Sequence, residues 1–163
     1  MKPVKLLLLV CTAALLAVAA SASAQSAHSA ASRAVVTTKS TKYGTILVTS
    51  SGRTLYLDVG DKPPHFACAG GCLQAWPELT TSGAPKAEGE VEQSMLGTVK
   101  HGSSTQVTYH GHPLYTFVQD SSSNPTSGEG VNGFYVVSPS GARITHANAN
   151  TTTSSTGSSS GWG

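Results

Sequence analysis

Two pairs of Tyr and Asp residues have the spacing of a candidate site. Asp61 lies five positions after Tyr56, and Asp120 lies five positions after Tyr115. Both pairs belong to a stretch that occurs twice, in which Gly, Leu-Tyr, Val and Asp recur at a constant offset of 59 residues (115 minus 56, and 120 minus 61). Carboxylates are general acid/base groups, and the duplication makes Asp61 and Asp120 the candidates for a symmetric pair.

The spacing favours a structural role for this motif over a ligand-binding or catalytic role. Five steps along an extended strand cover about 16 Å, so a Tyr cannot touch the Asp of its own copy if the strand runs straight. We expect each Asp to lie at a strand end and to accept hydrogen bonds from backbone N–H groups of the following loop. We expect each Tyr ring in or near the core, where its hydroxyl needs a partner. The sequence leaves open whether the Tyr of one copy contacts the Asp of the other.

No further pattern in the chain indicates catalysis. The sequence contains no Gly-x-Ser-x-Gly nucleophile turn and no phosphate-binding loop. Asp120, Ser122 and Asn124 begin like a calcium loop, but Pro125 stands where that loop needs Gly. We therefore predict a non-enzymatic protein with no cofactor.

Histidines provide an alternative with a cofactor. His110 and His112 flank Gly111 in a predicted turn, and His101 lies at the far end of the preceding hairpin strand. Imidazoles bind copper or zinc, so these three residues are weak candidates for a metal site. Because no third or fourth ligand follows a known spacing rule, we favour histidines on the surface of turns.

The N-terminus has the pattern of a secretory signal over residues 1–24. Lys2 and Lys5 precede an apolar run over residues 6–20, and a small-x-small site ends at Ala24. We expect cleavage after Ala24, which leaves no integral membrane span and directs the mature chain to the extracellular space or the cell envelope. Cys11 lies in the middle of the apolar run rather than at its end, so we expect no lipid attachment.

Removal of the signal also changes the charge and the Cys count. The whole chain has 10 Lys+Arg and 8 Asp+Glu, and losing Lys2 and Lys5 leaves 8 of each. A neutral chain without a basic cluster has no electrostatic basis for binding nucleic acid. Cys68 and Cys72 remain as an even pair, which in an exported chain predicts a disulfide across the flexible Gly70-Gly71 turn. A thiol metal site or redox pair is the alternative.

Short β-branched and aromatic runs separated by turns predict an all-β fold with at most one helical turn. We expect duplicated antiparallel hairpin or meander units, packed as a small sandwich or barrel. Repeat 1 covers about residues 43–82, a linker covers 83–94 and repeat 2 covers about 95–145. Neither repeat alone would bury enough surface to be stable. Residues 25–42 and 146–163 are poor in bulky apolar groups, and we predict a disordered leader and tail there.

Four aromatic residues are predicted for the core: Trp76, Phe117, Phe134 and Tyr135. The offset of 59 residues aligns Trp76 with Tyr135 (135 minus 76). A single helical turn is expected just before Trp76, because Pro77 would stop a longer helix.

Together these residues resemble the bacterial secreted-repeat lipoprotein family, whose hallmark is a duplicated Tyr-x4-Asp motif. The shared features are Gly-x-x-Leu-Tyr before each motif, Cys68-Ala-Gly-Gly-Cys72 followed by Trp76-Pro77, Thr105-Gln-Val-Thr-Tyr109, and Gly133-Phe-Tyr-Val-Val-Ser138. Two features depart from the family pattern. Asp58 stands where an aromatic residue is common, and the lipid-anchor Cys is missing. The resemblance implies export and a duplicated β-architecture, and it implies no activity.

Two functions from different classes follow from these observations. The first is a secreted, non-enzymatic binding or interaction module of the cell envelope or extracellular space, with a partner that the sequence does not identify. The alternative is a metal- or redox-linked exported protein that uses His110 and His112 or the Cys68 and Cys72 pair.

Overall fold

Eight short strands form the part of the chain that the structure describes, residues 32–145 of the computed structural model. In chain order they are β1 (Val35–Thr41), β2 (Gly44–Thr49), β3 (Tyr56–Asp58), β4 (Lys86–Ala87), β5 (Leu96–His101), β6 (Ser104–Tyr109), β7 (His112–Pro113) and β8 (Phe134–Val136). One α-helical turn, α1 (Cys72–Ala75), and two 3-10 turns, Gln93–Met95 and Val131–Gly133, lie between strands. The predicted all-β fold with one helical turn is confirmed. The strands pack like a sandwich and, over residues 32–145, do not close into a barrel.

Each repeat begins with a regular antiparallel hairpin. β1 pairs with β2 from Val36 opposite Thr49 to Thr41 opposite Gly44. β5 pairs with β6 in the same way over the equivalent stretch, from Leu96 opposite Tyr109 to His101 opposite Ser104. These runs are rich in β-branched residues, which favour an extended backbone.

Strand β1 corrects the prediction of a disordered leader over residues 25–42. Val36 has no exposed surface, and β1 pairs along its length with β2. The Ser and Thr content suggested a flexible segment, but Val35, Val36, Thr37 and Thr38 are all β-branched and are stabilised by pairing with β2. The rest of the predicted leader, the signal over residues 1–24 and the tail over 146–163 lie outside the described residues.

The predicted linker over residues 83–94 also contributes to the sheet. Strand β4 pairs parallel with β1, with Val35 opposite Lys86. Val91 is buried in an apolar cluster. The linker is therefore packed against repeat 1, although its composition predicted no buried face.

Each repeat completes the sheet of the other. Strand β8 of repeat 2 pairs antiparallel with β3 of repeat 1, and Leu57 lies opposite Tyr135. The equivalent contact in the opposite sense is a hydrogen bond of 2.8 Å from the Thr116 N–H to the Pro77 carbonyl. Between these two contacts lie Tyr56 and Tyr115, whose N–H groups each donate to the carbonyl of the other at 2.9 Å. The two tyrosines therefore mark a pseudo-twofold axis.

These pairings change the predicted alignment of the repeats by one residue. Pro77 is the counterpart of Tyr135, an offset of 58 residues (135 minus 77) instead of 59. Trp76 therefore corresponds to Phe134, and its predicted alignment with Tyr135 is one residue out. The connection between the Tyr-x4-Asp motif and the returning strand is one residue shorter in repeat 2, and a one-residue slip moves a side chain to the other face of a strand.

Two apolar clusters lie on opposite faces of the central strands. Along β3, Tyr56 points into one cluster while the flanking Leu55 and Leu57 point into the other. The first cluster, here called the aromatic core, contains Tyr43, Ile46, Val48, Tyr56, Cys68, Trp76, Tyr115, Phe117, Phe134, Val136 and Ile144. No helix within residues 32–145 has the length and apolarity to cross a membrane.

Candidate functional site

The aromatic core contains two hydrogen-bonded Tyr–Asp pairs, and each pair joins one repeat to the other. The Tyr115 hydroxyl donates to Asp61 Oδ2 at 2.7 Å. The Tyr56 hydroxyl donates to the two carboxylate oxygens of Asp120 at 2.9 and 3.1 Å. These contacts answer the question that the sequence left open, because the Tyr of each copy bonds to the Asp of the other. Direct backbone pairing of Tyr56 with Tyr115 brings the two repeats close enough for both contacts.

Each Asp of the motif also holds the loop that follows it. Asp61 Oδ1 accepts a hydrogen bond of 2.7 Å from the Ala67 N–H. Asp120 Oδ1 accepts from the Ser127 N–H at 2.9 Å and from the Ser127 hydroxyl at 2.8 Å. These are the loop contacts expected from the position of Asp at a strand end. Both carboxylates are therefore occupied by donors from the protein itself.

Burial and the adjacent carboxylates keep the two phenols protonated. Burial raises the pKa of Tyr56 above its ordinary value, and the negative charge and hydrogen bond of Asp120 raise it further. Burial likewise raises the pKa of Tyr115, with further contributions from the hydrogen bond to Asp61 and the charge of Asp61. The tyrosines therefore act as hydrogen-bond donors and are poorly suited to act as bases.

Three stacked rings, here called the aromatic column, lie beside these pairs. Trp76 stacks on Phe134 with ring centroids 3.8 Å apart and on Phe117 with centroids 4.2 Å apart. Because two rings this close to one indole cannot share a face, Trp76 lies between the two Phe rings. Tyr56 meets Trp76 edge to face at 5.3 Å, and Tyr115 meets Phe134 edge to face at 5.4 Å. The column crosses the pseudo-twofold axis between Trp76 and Phe134.

Asp58 lies at the Phe134 end of the column. It is the cross-strand partner of Phe134 and the counterpart of Phe117 (117 minus 58 is the repeat offset of 59). Its carboxylate accepts one hydrogen bond, of 2.8 Å from the Gly60 N–H to Oδ1. Burial raises the pKa of this carboxyl, the Gly60 hydrogen bond opposes the shift, and the charge of Asp61 adds to it.

A groove of about 460 Å³ opens between Asp58 and the column. Its walls include Trp76, Phe134, Cys72 and Asn132. The sequence did not identify this site, because an Asp in the middle of an apolar strand has no spacing rule of its own. The one signal that pointed to it is the aromatic residue that Asp58 replaces.

Cys68 and Cys72 form the predicted disulfide, with their Cα atoms 5.3 Å apart. Gly70 between them adopts a positive φ of 56°, which allows the tight turn. Cys68 is fully buried in the aromatic core, while Cys72 begins α1 and faces the groove. The bond therefore fixes one wall of the groove.

Comparison with known proteins places the chain in a family. A family model described as a secreted repeat of unknown function matches residues 37–80 and 97–137, once for each repeat. The chain belongs to this family of secreted repeats. No curated protein and no solved structure matches the chain.

In this secreted-repeat protein His101 makes local contacts. Its Nδ1 lies within hydrogen-bonding distance of Glu78 Oε1, and its ring stacks on Phe66 with centroids 4.0 Å apart. These two contacts account for the orientation of the ring.

The three candidate histidines do not meet in one site. His101 lies opposite Ser104 and His112 opposite Tyr109, and these partners are five positions apart on β6, which is about 17 Å along a strand. His110 is exposed in the turn with a positive φ of 49°. Over residues 32–145, no group of three or more His, Cys, Asp or Glu side chains is arranged to hold a metal ion. The metal site predicted on these histidines is therefore corrected.

The predicted core aromatics divide between the two faces of β8 and its neighbours. Trp76, Phe117 and Phe134 are buried in the aromatic core. Tyr135 lies outside both apolar clusters and is half-buried, with its ring 5.2 Å from the guanidinium of Arg143. This corrects the predicted core position of Tyr135, and the reason is the alternation of side chains along a strand.

Proposed function

We propose that this protein is a secreted, non-enzymatic module that binds a component of the cell envelope or extracellular space. The observation that carries this proposal is the state of the motif carboxylates. Asp61 and Asp120 already accept hydrogen bonds from Tyr115, Ala67, Tyr56 and Ser127, as described above. Carboxylates occupied in this way hold the fold together and are not free to transfer protons to a substrate.

This role for the motif explains why it is duplicated. Each Tyr–Asp contact links the two repeats, so one copy alone would lose the partner of its Tyr and of its Asp. The motif thereby stabilises a scaffold, and binding is left to surfaces that the scaffold displays. The groove beside the aromatic column is the surface best suited to that role, since it combines apolar walls with a polar group.

Cosedimentation of the mature chain, residues 25–163, with envelope fragments of the producing organism tests this proposal. We expect saturable binding that is lost when the protein is unfolded. The motif variants Asp61→Asn and Asp120→Asn, measured at a temperature where each remains folded, are expected to bind as well as the parent chain. Formation of a low-molecular-mass product from the envelope material that folded Asp61→Asn cannot make would overturn the proposal and indicate an enzyme.

Elemental analysis and a free-thiol assay on the same preparation test the alternative. Stoichiometric copper or zinc that is lost in the His110→Ala and His112→Ala double variant would replace a binding module with a metal-linked protein. Two titratable thiols in the native protein would indicate a redox role for Cys68 and Cys72. We expect an intact mass two hydrogens below that of the reduced chain, with no metal.

A further inference from the structure

The outer face of Phe134 is the uncovered end of the aromatic column. At the opposite end, the ring of Phe117 covers Trp76 with centroids 4.2 Å apart. The pseudo-twofold axis relates Trp76 to Phe134 and Phe117 to Asp58. Side chains directly opposite each other in an antiparallel pair have Cβ atoms about 4.5–5.5 Å apart, so an aromatic ring at position 58 would cover Phe134. The Asp58 side chain is too short to do so.

Small residues keep the space beside Asp58 open. Gly133 has a positive φ of 91°, and a Cβ built on it would lie 3.6 Å from Asp58 Oδ1. A Cβ built on Gly60 would lie 3.2 Å from the same oxygen and 2.8 Å from the Ala67 Cβ. The groove of about 460 Å³ is therefore deepest where the carboxylate and the Phe134 ring meet.

The electrostatics of the groove favour a positively charged ligand. Asp58 is only 7% exposed, and its carboxylate receives one hydrogen bond, from Gly60. The residues that line the groove include no Lys, Arg or His, and the nearest charge that acts on Asp58 is the negative charge of Asp61. Burial of a carboxylate without a positive partner is unfavourable, and a cation beside it offsets that cost.

We propose that this groove binds a small organic cation that carries a flat ring, with the ring stacked on Phe134 and the cationic group against the carboxylate of Asp58. This inference rests on the proposed binding function and names its site and ligand class. The ring of the ligand takes the place that Phe117 takes at the other end of the column. The cation supplies the positive partner that the lining residues lack.

Titration of the mature chain with phenethylammonium tests this inference, with 2-phenylethanol and 3-phenylpropionate as neutral and anionic probes of similar shape. Amide NMR signals of Gly60, Asn132 and Gly133 report on the groove. Trp76 fluorescence provides a second readout in a Trp162→Phe background, since these are the two Trp residues of the chain. We expect saturable changes with phenethylammonium, at least about tenfold weaker binding of the neutral probe and none of the anion.

Three variants separate the contributions of charge and shape. Asp58→Asn keeps the shape and is expected to remove the preference for the cation over the neutral probe. Asp58→Phe is expected to fill the groove and abolish binding of every ring. Glu90→Gln removes an exposed carboxylate outside the groove and is expected to bind as the parent chain does. Equal affinity for cation and neutral probe in the parent chain, or unchanged binding by folded Asp58→Phe, would overturn the assignment.

Cosedimentation of Asp58→Phe with envelope fragments separates failure of this inference from failure of the proposed function. Loss of envelope binding by the folded variant supports the groove as the binding site. Saturable envelope binding that Asp58→Phe retains would refute the groove as the site while leaving the binding module intact. Absence of envelope binding by the parent chain, together with ring binding in the groove, would contradict the proposed envelope partner alone.

Discussion

A double-mutant cycle tests whether the Tyr-x4-Asp motif acts across the two repeats. The changes are Tyr115→Phe, Asp61→Ala and the two together. Asp61 is 6% exposed, and the hydrogen bond that joins it to the Tyr115 hydroxyl measures 2.7 Å. A hydrogen bond to a charged group contributes about 1.5–3 kcal/mol to stability. We expect Tyr115→Phe to cost about this much and the pair to show a coupling energy of similar size.

The second single variant should cost more than the first. Asp61→Ala leaves the Tyr115 hydroxyl and the Ala67 N–H without an acceptor, and each buried unsatisfied group costs about 1–3 kcal/mol. In the double variant only the Ala67 N–H remains unsatisfied, so the two costs do not add. A domain of 114 described residues (145 minus 31) has a free energy of unfolding of about 6–17 kcal/mol, so these variants are expected to remain folded.

Urea unfolding supplies the free energies, compared at equal slope so that only stability changes. The matched control is the cycle of Tyr56→Phe with Asp61→Ala, which pairs the Tyr and Asp of one copy. These two residues share no hydrogen bond in the structure, and we expect a coupling below about 0.5 kcal/mol. A coupling within one copy that exceeds the coupling between copies would refute the cross-repeat arrangement.

Three further changes probe the same core. Asp58→Asn is expected to raise the melting temperature at neutral pH and not at about pH 3, since burial raises the pKa of this carboxyl and the stability linked to its protonated form is lost as the pH rises through the folded-state pKa; a lower melting temperature at neutral pH would contradict this. Replacing Cys68 and Cys72 by Ser should lower the unfolding free energy by about 2 kcal/mol in urea, the entropy of closing a loop of about five residues, and an unchanged midpoint would argue against a stabilising bond. Because burial and a carboxylate raise the pKa of Tyr56 and Tyr115, stability should fall as the pH passes 10, the ordinary phenol pKa, and both phenols should ionise only on unfolding; tyrosinate absorbance from either one in the folded chain would disprove this.

Local features of the fold could be predicted because they depend on a few adjacent residues. Turns at Gly102 and Gly111, alternating strands and the Gly70-Gly71 turn between two Cys residues all follow from local chemistry. The predicted hairpin of β5 and β6 and the predicted disulfide are found in the structure. Each of these predictions required knowledge of fewer than about fifteen consecutive residues.

Features that depend on the partner repeat could not be predicted in the same way. Strand β1 has a Ser- and Thr-rich sequence, and Val36 becomes a core residue only through pairing with β2 and β4. The alignment of Trp76 with Phe134 required the pairing register, because one residue of loop length shifts it. The bond from Tyr56 to Asp120 spans 64 positions, and no spacing rule within one copy contains it.

Asp58 was hidden for a different reason. On a strand whose neighbours Leu57 and Tyr56 are buried, a single Asp has the appearance of a surface residue or a strand end. Its burial follows from the strand that repeat 2 lays beside it. The polar group of the groove is therefore a consequence of the exchange of strands between repeats.

The pseudo-twofold arrangement explains how a duplicated sequence produces a single groove. The two ends of the aromatic column are equivalent in backbone pairing, and the rings of Tyr56 and Tyr115 meet equivalent members of the column edge to face. The ends differ at one position, where Phe117 covers its end and Asp58 leaves the other end open. A phenylalanine at position 58 would add apolar contact, so Asp58 lowers stability at the place where its counterpart raises it. Such a loss of stability at one symmetry-related position, with the rest of the core unchanged, is the pattern expected where a residue is retained for binding.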